Sequence, residues 1–284
     1  MSNSSKTKTH AMTVDVEDYF HVSAFESVIS PNDWDSISLR VADNTNRLID
    51  LFNENDVKAT FFTLGWVAKR CPELVKRIVN EGHEIASHGL NHRRNTSMSR
   101  AQVRTDIGDS KAILEDITGR AIQGYRAPSF SIDESNEYVF ELLVEFGFKY
   151  SSSTYPISHD LYGVPHWPRF AHKRQEGLIE IPIPTIQHKG INKGIGGGGY
   201  FRLFPYWLSK RRIERYVNSI EHPYNFYFHP WEIDPEQPRV DNAPFKSKLR
   251  HYINLGAMEN KLVKLMRDYK WSSMNKVYED LLRE

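Results

Sequence analysis

The chain has one cysteine, Cys71, in 284 residues. No internal disulfide can form, and no thiolate cluster can hold a metal. Any metal site must therefore be built from imidazoles and carboxylates. Cys71 precedes Pro72 at an expected helix start, where a neutral, packed thiol is the simple reading. Charge of one sign is also missing: 37 Lys and Arg stand against 36 Asp and Glu, for a net charge of +1. That balance offers no sequence-independent attraction to phosphate backbones, so nucleic acid is not an expected partner. No apolar run approaches the ~18 residues that cross a bilayer, so no membrane span is expected. Met1 to His10 is rich in Ser, Thr and Lys and lacks the apolar centre of a signal peptide, which gives a cytoplasmic expectation. No repeat of 20 to 50 residues occurs, and Gly196 to Gly199 is the one low-complexity run.

What is present is enough to fold. With 39% hydrophobic and 12% aromatic residues, the chain lies outside the disordered range. Its length suits one domain. Residues 1–11 read as a disordered tail, 12–284 as a single domain, and about 245–284 as a C-terminal cap carrying Leu249, Leu262 and Leu265.

Between these limits strand and helix signals alternate. Thr13 to Val16, Val57 to Phe62, His83 to Ser87, Ile122 to Tyr125, Phe148 to Tyr150, Leu178 to Ile181 and Asn225 to Phe228 read as strands. Helical spacing links Val41, Thr45, Leu48 and Phe52. Pro72 opens a helix that Gly82 follows, and Ser99 with Gln102 makes a capping box for one that Gly119 ends. Ser131 with Glu134 signals a further helix, and Arg211 to Ile220 another. Gly196 to Gly199 reads as a loop at a groove edge, with no helix expected in Tyr200 to Pro205. The alternation predicts an α/β fold with a mainly parallel sheet.

The unusual chemistry clusters where strands end. Asp15, Glu17 and Asp18 fall within four positions at the end of the first strand, and His88 and His92 follow the third. Two imidazoles and a carboxylate with a position left for water is the catalytic zinc pattern. In a strand Asp15 and Glu17 share a face, while Asp18 joins them only if the strand has already ended. The metal carboxylate is therefore Asp18 or Glu17. The His88-x-x-x-His92 spacing alone says little, because chance supplies roughly 0.5 such pairs given 12 His in 284 residues. Its company carries the argument: an acidic strand end, Arg126-Ala127-Pro128, and His229-Pro230-Trp231, each after a strand.

In this order, these segments resemble the motifs of the NodB-homology polysaccharide deacetylases, carbohydrate esterase family 4, in the branch associated with exopolysaccharide biosynthesis loci. The similarity extends to Ala59-Thr60-Phe61-Phe62, Gly82 to His88, Gly197 to Arg202 and His229 to Pro235. The resemblance implies a distorted (β/α) barrel with a helix-rich C-terminal extension, and metal-dependent removal of acetyl groups from N-acetylated amino sugars of a polysaccharide or its precursor. It implies Asp15 as catalytic base, Arg126 as its orienting partner and His229 as general acid. It further implies His88 and His92 as ligands and Zn²⁺ or another divalent transition metal as cofactor; the family's usual carboxylate positions hold Val16 and Glu17 here, and Asp18 is favoured over Glu17 because a shorter side chain just past the strand end can turn into the site. Tyr19, Pro128, Ser129 and Trp231 are expected on the substrate side, and backbone N–H groups after Arg126 near an oxyanion. Ser151 departs from the branch, which commonly has Asp there. The alternatives are a hydrolase of a non-sugar amide such as a ureide, and a carbohydrate-binding protein with a vestigial site. Oligomeric state is left open.

Overall fold

Every residue from His10 to Val16 is buried. A strand covered on both faces belongs at the centre of a parallel sheet, and that is where this one lies. The computed structural model describes residues 8–160 and 162–283. Its strands are β1 (Thr9–Val16), β2 (Thr60–Thr63), β3 (Glu84–Ser87), β4 (Gly124–Tyr125), β5 (Tyr150–Ser151), β6 (His172–Lys173), β7 (Ile179–Glu180), β8 (Thr185–His188), β9 (Ile191–Gly194), β10 (Asn225–Phe228) and β11 (Lys270–Ser272).

The main sheet runs β10-β1-β2-β3-β4-β5-β7-β6, with β11 pairing the start of β1. All pairs are parallel except β6 with β7. Among the described residues no strand pairing joins the two ends of the curled sheet, so the expected barrel is open. Helices cover its outside: α1 (Val41–Glu54), α2 (Gly65–Arg70), α3 (Pro72–Asn80), α4 (Arg100–Thr118), α5 (Tyr138–Glu145), α6 (Gly198–Leu203), α7 (Tyr206–Ser219), α8 (Phe245–Tyr252), α9 (Leu255–Asp268), α10 (Met274–Val277) and α11 (Glu279–Arg283).

Register brings the strand ends level. Asp15 lies opposite Phe62, which lies opposite Ala86; Ser87 pairs Tyr125, and Val14 pairs Phe228. The residues just past those ends, namely Glu17, His88, Arg126 and His229, therefore emerge on one rim. That is where α/β sheets place their chemistry.

Several boundaries differ from expectation. β1 begins at Thr9, so residues 9–11 belong to the sheet rather than to a tail, while residues 1–7 lie outside the described residues. The C-terminal stretch is more than a cap, since β11 completes the sheet beside Thr9 to Ala11. Leu262 and Leu265 are buried as expected, but Leu249 is 53% exposed. Ser131 does not cap α5: its Oγ donates to Pro128 O and accepts from Asn95 N–H, and the helix starts only at Tyr138. α7 starts at Tyr206, five residues before the expected Arg211. The glycine run also leads directly into a helix, α6, where none was expected. The capping box of Ser99 with Gln102, and Gly119 in the left-handed conformation, are as read from sequence.

Candidate active site

The loop His88 to His92 is shaped by its neighbours. Gly89 has φ 75°, and a Cβ there would come within 2.8 Å of Asp106 Oδ1. The Asp106 carboxylate accepts from Leu90 N–H at 3.0 and 3.1 Å, and the Gly89 and Leu90 carbonyls accept from Gly65 and Trp66 at the start of α2. His92 ends the turn at φ 50°, an uncommon conformation for a residue with a side chain. Both imidazoles are thereby aimed into the cleft.

His88 Nδ1 contacts the Arg126 carbonyl at 2.8 Å, so it carries the proton and donates. Nε2 is left as the free donor atom, the usual outer-partner arrangement of a ligating histidine. Burial lowers the His88 pKa from 6.5 to about 4, which keeps the ring neutral. Glu17 Oε2 lies 2.6 Å from His92 Nε2 and has no hydrogen-bond partner among the described residues. Ligand atoms of Glu17, His88 and His92 all fall within 4.8 Å of one another. Burial by itself would raise the Glu17 pKa, but His92 and His229 hold it well below the carboxylate range. A buried, ionised carboxylate between two imidazoles fits a divalent cation.

Asp18, the favoured metal carboxylate, is elsewhere. Its Oδ1 accepts from Tyr19 N–H at 2.9 Å, and its Oδ2 from Arg40 and Val41 N–H at 2.7 and 2.8 Å. Those last two are orphan donors at the start of α1, where Arg40 offers no side-chain cap. Asp18 is thus a structural cap. The strand has ended at Val16, the Glu17 N–H turns back to the Asp15 carbonyl, and the donors of Tyr19, Arg40 and Val41 draw Asp18 away from the cleft.

Asp15 Oδ1 accepts from Arg126 Nη1 at 2.6 Å, and both side chains are buried. Arg126 is fixed at every nitrogen: Nη1 also donates to Thr13 Oγ1 at 2.9 Å, Nη2 to Ser152 Oγ at 3.0 Å, and Nε to the Ser152 carbonyl at 3.1 Å. Glu180, not singled out by sequence, accepts from Ser153 N–H, Thr154 N–H and Thr154 Oγ1 and so holds the loop that holds Arg126. Ser151 donates to Ser153 Oγ at 2.8 Å, and Ser153 Oγ accepts from Ala127 N–H. With Ala127 N–H occupied and Pro128 lacking one, Ser129, which lines the cleft, carries the next backbone N–H of this segment.

Facing these groups is His229. Its Nε2 lies 3.4 Å from Glu17 Oε1 and 4.0 Å from Asp15 Oδ2, and its Nδ1 lies 2.9 Å from Glu232 Oε1. Burial pulls its pKa down, but Glu17, Glu232 and Asp15 together outweigh this and raise it to about 9. These carboxylates favour the protonated ring in the metal-free protein.

The cleft has a volume of about 210 Å³, below the roughly 300–1,000 Å³ of pockets that enclose a whole ligand. That size admits an acetamido group and part of a ring. Ser129 and Trp231 line it as expected. Tyr19 does not, because it is 4% exposed and packs edge-on to Phe20. Pro128 is also outside the lining and packs beside Gly89. Tyr162, Tyr227, Phe130 and His251 line the cleft and were missed, being aromatic residues without a motif.

Residues 31–151 match the family described as polysaccharide deacetylase, and residues 152–279 match a domain of unknown function. A peptidoglycan deacetylase of Helicobacter pylori is 36% identical over 107 residues, 38% of this chain and 36% of that protein. A chitooligosaccharide deacetylase of Sinorhizobium fredii is 33% identical over 85 residues, 30% of this chain and 40% of that protein. The chain thus spans well under half the length of these relatives. A crystal structure assigned to the polysaccharide deacetylases from Mycobacterium smegmatis superposes with a TM-score of 0.63 at 20% identity, covering 99% of this chain and 92% of that one. A family 4 carbohydrate esterase pseudoenzyme from Bacillus anthracis superposes at 0.50 with 15% identity, over 96% of this chain and 66% of that one. The fold therefore occurs both with and without activity, and the side chains must carry the functional argument.

Proposed function

We propose that this polysaccharide deacetylase homologue is a metal-dependent hydrolase that removes acetyl groups from N-acetylated amino sugars of a polysaccharide or its precursor. One observation carries the reading: the Glu17, His88 and His92 donor set, Asp15 backed by buried Arg126, and His229 border one cleft. A divalent ion held by Glu17, His88 and His92 would supply Lewis acidity, lowering the pKa of water and polarising the acetyl carbonyl.

The chain's own groups account for the proton movements. Asp15, oriented by Arg126, accepts a proton from the attacking water as the new C–O bond forms. Ser129 N–H faces the oxyanion that develops on the carbonyl oxygen. As the C–N bond breaks, its electron pair stays on nitrogen, which takes the His229 Nε2 proton. Acetate and a free amine result. Tyr162, Tyr227 and Trp231 make one wall of the cleft aromatic and apolar, against which a sugar ring would rest.

The test is acetate release from N-acetylated chitooligosaccharide and from peptidoglycan fragments, with metal content measured on the same protein. The reading expects turnover that depends on a bound divalent ion. Turnover of a ureide but not of an acetamido sugar would move the substrate class, and sugar binding with metal but no turnover would favour a binding protein.

A further inference from the structure

The segment of unknown function, 152–279, contains His229 and two charged residues that the mechanism above does not use. Glu232 is fully buried and its two carboxylate oxygens are divided between them. Oε1 faces His229, accepting from Nδ1 at 2.9 Å and from its backbone N–H at 3.1 Å. Oε2 accepts from Arg202 Nε at 2.7 Å. Arg202, 2% exposed, donates as well to the carbonyls of His251 at 2.7 Å, Ile253 at 2.8 Å and Arg250 at 3.2 Å. The pair is therefore anchored to the backbone on the far side of the cleft.

The ring plane of His229 is fixed in addition. His229 stacks on Trp231 at 5.1 Å and 15°, and Trp231 stacks on His251 at 4.1 Å and 15°. With Nδ1 committed to Glu232, Nε2 is the atom presented to Asp15, Glu17 and the substrate.

The glycine run has a role in this arrangement. A Cβ on Gly198 would come within 2.3 and 2.5 Å of the two Glu232 oxygens, whereas one on Gly199 would meet nothing within 4 Å. Gly198 is needed because the carboxylate lies against its backbone.

We propose that the Arg202–Glu232 pair is a positioning device that fixes the tautomer and aim of His229 for proton delivery, and that this is what segment 152–279 contributes to the site. The Ser151 hydroxyl is engaged with Ser153. Glu232, three residues along the chain from His229, is the carboxylate that meets its Nδ1. This inference rests on the deacetylase reading for the identity of the proton acceptor.

The test compares an acetamido sugar, whose amine must be protonated to leave, with 4-nitrophenyl acetate, whose leaving group needs no proton. Glu232→Gln and Gly198→Ala should each lower kcat on the amide about 10- to 100-fold, the usual cost of losing an outer partner of a functional histidine. KM, metal content and the rate on the ester should hold, and Gly199→Ala should match wild type throughout. Gly198→Ala keeps both buried charges, so it remains informative if Glu232→Gln unfolds. An equal loss on both substrates, or no loss on the amide, would overturn the proposal.

A readout free of turnover separates this from failure of the deacetylase reading. In ¹⁵N-histidine-labelled, metal-free protein, the hydrogen-bonded Nδ1–H of His229 should give a low-field proton signal that Glu232→Gln and Gly198→Ala displace. A signal unchanged by either substitution would sink the positioning role even if acetate is released. A displaced signal in a protein that turns over no acetamido sugar would instead sink the substrate class.

Discussion

Replacing Asp18 by Ala removes three accepted hydrogen bonds at once, from Tyr19, Arg40 and Val41 N–H. A buried donor left unpaired costs about 1–3 kcal/mol. The Arg40 side chain is 35% exposed, so water can reach its neighbourhood and the full cost falls on Val41 and Tyr19. Against that, Asp18 is itself fully buried, and burial raises its pKa despite the three donors, so deleting the carboxyl recovers part of its desolvation cost. The net loss should be about 2–3 kcal/mol, or a fall in Tm of about 3–5 °C for a chain of this size. Metal stoichiometry should remain that of wild type. Glu17→Ala should instead abolish stoichiometric metal binding. Calorimetry and elemental analysis on both variants decide the matter. Metal lost from Asp18→Ala at an unchanged Tm would refute the assignment of Asp18 as a helix cap and of Glu17 as the ligand.

Other expectations follow from the same geometry. His229→Ala should cost ~10²- to 10⁴-fold in kcat, the usual contribution of a positioned acid, with metal content intact; parallel loss of metal would contradict its role. Arg126→Met leaves Asp15 buried without its partner and should destabilise the fold by about 3–5 kcal/mol, which urea denaturation reads directly. Because the His229 pKa is raised from 6.5 to about 9 in the folded protein, its charge stabilises the fold fully below pH 6.5. That contribution is lost as pH rises through 9, so the Tm of metal-free protein should fall across this window, and His229→Gln should flatten the fall. An undiminished slope in the variant would assign the titration to another group. Chelation should abolish acetate release, and Zn²⁺ should restore it.

The rim of strand ends was legible in the sequence because strand signals are local. Short β-prone runs bounded by breakers placed Asp15, His88, Arg126 and His229 at comparable points, and parallel register then brought them together. On sequence, Asp18 is favoured over Glu17 because a shorter side chain just past the strand end can turn into the site, but its carboxylate turns to the backbone donors of Tyr19, Arg40 and Val41 instead. β1 ends at Val16, so neither residue is bound by strand alternation, and the backbone donors at the start of α1 decide where Asp18 goes.

What sequence did not reveal depends on contacts between distant segments. Arg202 is held by carbonyls at 250, 251 and 253, and no local pattern announces that. The same partners make a helix of Gly198–Leu203 despite its glycines. Glu232 stood next to the His-Pro-Trp segment in plain view, but its meaning depends on the Gly198 backbone and on Arg202. Asp106 and Glu180, which shape the loops carrying His92 and Arg126, lie in helix and strand without any motif. Leu249 fits an apolar pattern, yet α8 turns it outward.

Anomalous diffraction at the absorption edge of the ion bound by the purified protein tests the central claim most directly. The account predicts one peak between His88 and His92, coordinated by both Nε2 atoms and a Glu17 oxygen, with Asp15 and His229 flanking it. A peak coordinated by Asp18, or an ion bound away from this cleft, would contradict it.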